Sequence, residues 1–227
     1  MGGAHLAKTL DLPAVSLIEF GVAGGNGLVA LDLIAQRIER IFGIQAQVYG
    51  FDTGAGLPAP QDLRDCPNLF AGGDYPMDVA KLRSRLARAE LILGEIDETL
   101  PAFMAKSGFA PVAFVSVSVD LFTSTRHALR LLGGEAKMLL SRIHCYFDDI
   151  TGFTYSPYNG ERLAIQEFND EHPSRKISPI FGARHPKPFA NEGWVDKLFM
   201  AHILDHDLYS RPDGLTRILR ADLVGKA

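Results

Sequence analysis

Two acids and a run of glycines stand where a strand–helix–strand unit would bring them together. The run Ile18-Glu19-Phe20-Gly21-Val22-Ala23-Gly24-Gly25-Asn26-Gly27 puts a carboxylate at the end of an apolar stretch and glycines just beyond it. Glycines at that point let the backbone turn tightly and approach a ligand closely. Asp52 follows a second apolar stretch. In a βαβ unit its carboxylate comes near the first loop, where it can accept hydrogen bonds from both hydroxyls of a ribose. Gly25-Asn26-Gly27-Leu28-Val29-Ala30 also satisfies the GxGxxA pattern of dinucleotide-binding proteins. That fingerprint needs its strand to end at the first glycine, whereas here the strand ends earlier, at Glu19-Phe20-Gly21. A carboxylate at the strand end repels a pyrophosphate and suits a cationic, amine-bearing ligand. A glycine-rich turn with no ligand is the plainer reading, but glycines, Glu19 and Asp52 in one frame speak against it.

A second acidic group follows two later strands. Asp120 comes after Val112–Val119, and Asp148 with Asp149 after Arg142–Phe147. In a parallel sheet both ends open on the edge that carries the glycine loop. Clustered carboxylates repel one another unless a cation or protons intervene. Oxygen-only ligands suit a hard divalent ion such as Mg²⁺. The competing reading makes Asp120 the cap of a helix beginning near Thr123, and Asp148-Asp149 a turn. His127 and His144 are candidate bases by chain position, and His172, His185, His202 and His206 by availability. None is singled out, and His144, inside a strand, reads as a hydrogen-bonded core histidine. Asp205-His206-Asp207 has the look of a ligand cluster but reads more simply as a solvated turn.

The elements that must position these residues alternate between strand-like and helix-like, the mark of an α/β layer architecture. Val15–Phe20, Ala46–Phe51, Leu91–Leu93, Val112–Val119, Arg142–Phe147 and Lys176–Phe181 read as strands. Helical periodicity at Leu28, Leu31, Ile34, Ala35, Ile38, Ile41 and Phe42 precedes a stop at Gly43. Further helices fit Met77–Ala89, Thr99–Ser107, Thr123–Leu132 (with Thr123 or Ser124 as cap) and Glu161–Glu171. Val195–Leu204 is apolar and ambiguous. The Gly-, Pro- and Asp-rich stretch Thr53–Pro76 is long for a structureless connection, so it is a functional loop or hides a short element. Gly152–Gly160 reads as a loop over the functional edge. Tyr155, Tyr158, Phe168 and Trp194 are candidates for a substrate pocket, or plain packing.

The chain has 227 residues, 47% of them hydrophobic, enough for one full core, so a single domain over 1–227 is expected. A net charge of −4 argues against a nucleic-acid partner. Lys81, Arg83, Arg85 and Arg88 fall within one helix length and read as a solvated face. Two cysteines, Cys66 and Cys145, show no metal or disulfide spacing, and Cys145 reads as a buried small hydrophobe. Neither a signal segment nor a membrane-length apolar run is evident, so a soluble cytoplasmic protein is expected. The tail from Arg211 has a helical pattern at Leu215, Ile218 and Leu219 that suits packing on a second subunit, a homodimer.

Glu19-Phe20-Gly21-Val22 followed by Gly24-Gly25 resembles the first motif of class I S-adenosylmethionine (SAM)-dependent methyltransferases. Tyr49-Gly50-Phe51-Asp52-Thr53-Gly54-Ala55-Gly56-Leu57-Pro58 resembles the DxFxGLP signature of the macrocin O-methyltransferase (TylF/MycF) family. Gly94-Glu95-Ile96-Asp97-Glu98-Thr99-Leu100-Pro101 resembles that family's GxxxxTLP segment. Ser118-Val119-Asp120-Leu121-Phe122-Thr123-Ser124-Thr125 resembles its DxDLYxST, and Asp148-Asp149-Ile150 its DDY. The likeness runs from about Val15 to Ile150, some three-fifths of the chain. It departs at Ser118, where the family has its first acid, and at Phe122 and Ile150, where it has tyrosines.

The resemblance implies a Rossmann-like class I methyltransferase fold, with a mostly parallel seven-stranded sheet containing one antiparallel strand. It implies that Glu19, Gly21 and Gly25 line the methionine part of SAM, that Asp52 holds the ribose, and that Gly94 and Glu95 sit near the adenine. Asp120 would be catalytic, and Asp120, Asp148 and Asp149 would hold Mg²⁺. Methylation of a hydroxyl on a small sugar or natural-product-like molecule is the expected activity. An NAD(P)-dependent oxidoreductase and a SAM-binding module without turnover stay open beside it.

Overall fold

A computed structural model of the chain describes residues 1–106, 108–152, 154–183 and 192–210. The predicted helix in the tail beyond Arg211, His185 and the last residue of the predicted Thr99–Ser107 helix lie outside them.

The centre of the fold follows from two runs that are apolar on both faces. β1 (Ala14–Phe20) is buried from Val15 to Phe20, and β4 (Val112–Val117) is buried at four of its six positions. A strand covered on both sides needs helices on both sides, which is the setting of parallel sheets. β1 pairs in parallel with β2 (Gln45–Asp52) and with β4. β3 (Glu90–Leu93) extends the sheet beyond β2, and β5 (Leu139–Phe147) beyond β4, again in parallel. The other end is closed by β6 (Arg175–Pro179) and β7 (Leu198–Ile203). The order across the seven strands is β3-β2-β1-β4-β5-β7-β6, with β7 antiparallel to both neighbours. The ambiguous apolar run 195–204 is thus a strand, preceded by a 3-10 turn at Gly193–Lys197. Phe181, read as the end of β6, lies outside it with 87% exposure.

α2 (Asn26–Phe42) packs Leu28, Leu31, Ala35 and Ile38 inward, while Ile34 and Ile41 stay exposed, so its buried stripe is narrower than the periodicity suggested. Gly43 ends the helix in a left-handed C-cap whose N–H bonds Glu39 O at 2.9 Å. α1 (Gly2–Thr9) has no counterpart in the sequence reading. Its inner face is Gly3, Ala4 and Ala7, small enough to lie against Ala113 of β4 but too small to register as an apolar stripe. The remaining helices are α3 (Val79–Arg85), α4 (Ile96–Ala105), α5 (Phe122–Leu129), α6 (Gly160–Glu171) and α7 (Asp207–Ser210). α3 is shorter than the predicted Met77–Ala89; Asp78 caps it through Lys81 N at 3.0 Å, and Leu86 is already extended. The stretch after β2 does hide an element, a 3-10 turn at Leu63–Asp65. No helix among the described residues is long and apolar enough to cross a membrane.

Candidate active site

The carboxyl ends of β1, β2, β4 and β5 open on one edge, so the loops that follow them share a wall. Gly21 leaves β1 at φ +80, and a Cβ there would lie 1.9 Å from the backbone oxygen of Ser118, so only glycine fits. Gly25 is the left-handed N-cap of α2, seated on the Leu82 side chain. Two groups brace this loop. From outside, the Arg85 guanidinium donates to Gly24 O at 2.9 Å and to Asn26 Oδ1 at 2.8 Å. From inside, Asp52 Oδ2 accepts the Val22 and Ala23 N–H groups at 2.8 and 2.9 Å, and its Oδ1 accepts Gly54 N–H at 2.7 Å. A carboxylate offers about four lone-pair sites. Asp52 therefore has room for one further donor without releasing the loop.

Glu19 does not reach that wall. Its carboxyl is buried under the start of α2, so close to Gly27 that a Cβ there would lie 2.0 Å from Oε1. Oε2 is buried without a hydrogen-bond partner. Burial, and then the charge of Asp52, push the Glu19 carboxyl up to about 8.

Between the loops lies a cleft of roughly 300 Å³, within the range of small-molecule sites. Gly21, Asp52, Glu95 and Ile96 line it on the side of β1 to β3, and Ser118, Asp120, Asp148 and Asp149 on the side of β4 and β5. The long loop after β2 adds Leu57, Asp74 and Tyr75, and α5 adds Ser124 and His127. Gly25 and Gly94 are near the cleft in sequence but not on its wall. Among the described residues the lining is acidic at six positions (Asp52, Asp74, Glu95, Asp120, Asp148, Asp149) and contains no lysine or arginine.

Asp120 sits at the apex of a three-residue turn. Leu121 N–H reaches Val119 O at 2.5 Å and Asp120 itself has φ +58. This is the strained form of the γ-turn, and such strain persists only where the surroundings over-determine it. Part of that support comes from neighbouring acids in series. Asp149 Oδ2 accepts the Asp120 N–H at 3.1 Å, and Glu161 Oε2 accepts the Asp149 N–H at 2.9 Å. Burial first, and then the charges of Asp149, Asp148 and Asp74, raise the Asp120 carboxyl to about 7. Burial raises Asp149 to about 6, against the pull of the Asp120 N–H. Asp148 is engaged otherwise: its Oδ1 meets Lys197 Nζ at 2.5 Å and accepts the Tyr146 hydroxyl at 3.1 Å. These oxygens have the right chemistry for a hard divalent cation. Among the described residues, however, no three acid, histidine or cysteine side chains are gathered closely enough to hold an ion as they stand.

The sequence reading that made Asp120 a helix cap is corrected. α5 begins at Phe122, earlier than the proposed Thr123 or Ser124 caps require, and its N-terminus is capped from far along the chain. Asp65 accepts Thr123 N–H at 2.8 Å and Thr123 Oγ1 at 2.9 Å, and also takes Gln61 N–H at 2.8 Å. His144 is not hydrogen-bonded as expected of a core histidine; its Nδ1 is buried without a partner, beside Gly2. His127 is the histidine on the cleft wall, its ring pushed down by burial. His172 and His202 bond Phe168 O and the Tyr209 hydroxyl. In the Asp205-His206-Asp207 run, Asp205 pairs with Arg175 at 3.0 Å and His206 Nδ1 accepts Leu208 N–H. Phe168 belongs to the core, Tyr158 is 80% exposed, and Tyr155 packs on the small cluster of Cys66, Phe70 and Leu121. Cys145 is buried. Glu161, Asp65, Asp74 and Tyr75 were not singled out from the sequence; only the unusual length of the loop after β2 pointed toward the last three.

No family model matches the chain, and no curated protein matches it. Solved structures do resemble it. CalS11, described as a calicheamicin methyltransferase, has a TM-score of 0.59 at 21% identity, covering 88% of this chain and 76% of that one. Its apo form, described as a TDP-rhamnose 3'-O-methyltransferase of calicheamicin biosynthesis, gives 0.53 at 20% identity over the same shares. The O-methyltransferase NovP gives 0.56 at 16% identity, covering 75% and 69%. The shared architecture is the Rossmann-like class I methyltransferase fold.

Proposed function

We propose that the protein is a SAM-dependent methyltransferase acting on a hydroxyl of a small, sugar- or natural-product-like molecule. The observation that carries the reading is the acidic cleft beside a glycine loop whose amides are already held by Asp52. A dinucleotide needs loop amides free for its pyrophosphate, and two of them here serve a carboxylate instead. A sulfonium and an ammonium suit a wall that, among the described residues, carries six acids and no lysine or arginine. Both features disfavour the NAD(P) reading, and the acidic wall disfavours a nucleic-acid acceptor as well.

SAM supplies an electrophilic methyl group. The chain's own work is to place a nucleophilic oxygen in line with it and to take up the proton that oxygen releases. Asp120 is the group we assign to that role. It faces the cleft on a strained turn, and an acid raised to about 7 is matched to proton uptake near neutrality. The oxygens of Asp120, Asp148 and Asp149 have the chemistry to hold a divalent cation but are not gathered closely enough for one as they stand, and proton uptake by Asp120 does not need it. The neighbours named as O-methyltransferases support this choice of acceptor. A binding module without turnover gives no reason for strain at Asp120.

Calorimetric titration with S-adenosylhomocysteine and with NAD⁺, each with and without Mg²⁺, tests the reading. Binding of the homocysteine compound alone is expected, together with an Asp120→Asn variant that binds it normally and has lost turnover. Preference for NAD⁺ would sink the proposal.

A further inference from the structure

Two uncharged polar side chains on the cleft wall have no part in the proposed methyl transfer. Ser124 and His127 stand three positions apart on α5, so they share one helix face, and both line the cleft. Helical side chains lean toward the start of their own helix. For α5 that is the end that follows Asp120 and opens on the cleft. The wall across from them is Glu95 and Ile96, where α4 begins, and the neighbouring Asp97 carboxylate acts on the His127 ring, which sets the ring beside that end. Among the described residues neither the Ser124 hydroxyl nor a ring nitrogen of His127 has a hydrogen-bond partner, although Ser124 is only 7% exposed. Burial, and then the charge of Arg130, hold the His127 ring below its ordinary basicity. At neutral pH it is therefore the uncharged imidazole, with one N–H to donate and one bare nitrogen to accept. Ile96 and Val119, both buried, give this part of the cleft apolar surface. A flat heteroaromatic ring, apolar on its faces and carrying donors and acceptors on its edge, is the ligand such a wall complements.

We propose that Ser124 and His127 select the adenine of SAM by its amino-bearing edge, one accepting from the exocyclic amino group and the other donating to the adjacent ring nitrogen. The inference rests on the proposed function, which puts the methionine part of SAM at the glycine loop after β1 and the ribose at Asp52 after β2. β3 lies beyond β2 as seen from β1. A base leaving the ribose on the side away from the methionine therefore runs toward the residues that follow β3, Glu95 and Ile96, and Ser124 and His127 stand across from these. A hydroxyl and a neutral imidazole can each donate or accept, so the pair matches that edge without adding charge. A site built to hydrogen-bond an edge rejects an analogue that lacks it, because its own buried polar groups are then left unpaired.

The test compares, by calorimetry on the full chain, S-adenosylhomocysteine with its purine analogue, in which hydrogen replaces the 6-amino group. Wild type is expected to prefer the adenosyl compound by about tenfold or more. In the double variant Ser124→Ala, His127→Ala that preference should fall to within about twofold, because no side chain is left to pair with the amino group. One of the two single variants should carry the same loss of preference. The other, deprived of the bond to the ring nitrogen, should bind both compounds about tenfold more weakly and keep the preference. If the double variant does not fold, the single variants decide. An undiminished preference in both folded single variants, or equal affinity of wild type for the two compounds, overturns the proposal and leaves the base to main-chain contacts. Wild type that binds neither compound removes the methyl-donor reading and this inference with it; wild type that prefers the adenosyl compound, with both variants unchanged, removes this inference alone.

Discussion

Replacing Glu19 by glutamine isolates the most costly charge in the glycine-loop region. The folded carboxyl is raised from 4.5 to about 8, chiefly by burial and then by Asp52. In the unfolded chain it ionises at its ordinary value. A raised folded pKa means that its contribution is fully present below 4.5 and is lost as the pH climbs toward 8, because the unfolded state sheds the proton first. At about 1.36 kcal/mol for each pK unit, the loss between pH 5 and pH 8 comes to roughly 3–4 kcal/mol. Asp120, Asp149 and Glu161 are shifted in the same direction and slope the wild type the same way. They remain in the variant, so the difference between the two proteins reports Glu19 alone. Urea unfolding of wild type and Glu19→Gln at pH 5 and pH 8 measures that difference. The variant should gain on wild type by roughly 3–4 kcal/mol across the interval. Parallel pH profiles would refute the reasoning, since they would mean that Glu19 finds a partner or water that its buried position denies it.

Asp52→Asn gives the loop an amide that can accept on one side only. The other side must lose a charge-assisted bond, to Gly54 or to the Val22 and Ala23 pair, at roughly 1.5–3 kcal/mol. Calorimetry should find S-adenosylhomocysteine bound about 10- to 100-fold more weakly; unchanged affinity would detach Asp52 from the ligand site. Asp65→Ala strips α5 of its N-terminal acceptors and also frees Gln61 N–H, so chemical denaturation should show a loss of about 2–4 kcal/mol. A loss below about 0.5 kcal/mol would mean that water caps α5 equally well.

What was legible in the sequence was what is local. The Ile18–Gly27 run and Asp52 lie within one βαβ unit, and their types alone dictate a strand, a tight turn and a returning acid; the fold sets Asp52 against that turn. Asp120, Asp148 and Asp149 were found because each ends a run that could only be a buried strand. The partners that hold these residues come from a distance. Asp65 reaches α5 across 58 positions of chain, and no pattern in either segment announces it. Glu161 opens a helix, where acids are ordinary, and only packing of α6 against the loops after β4 and β5 makes it a buried one. Glu19 was legible as an acid in the right place, but its side of β1 was not: it points beneath α2 and not into the cleft. α1 escaped because alanine and glycine make close contacts without making a hydrophobic signal.

The antiparallel strand also imposes an order of assembly. Among the described residues, β6 has hydrogen-bonded contact with the sheet only through β7, which follows it in the chain and slots between it and β5. A ribosome therefore delivers β6 before the strand that ties it on. Until residues 198–203 emerge, five parallel strands present the open flank of β5 to solvent and β6 has nothing to pair with. An arrest placed just upstream of β7 leaves a nascent chain with the glycine loop and the acids of β4 and β5 already made, and an unsealed edge beside them. Chaperone capture or intermolecular strand pairing would concentrate at that stage of synthesis and fade once β7 closes the gap.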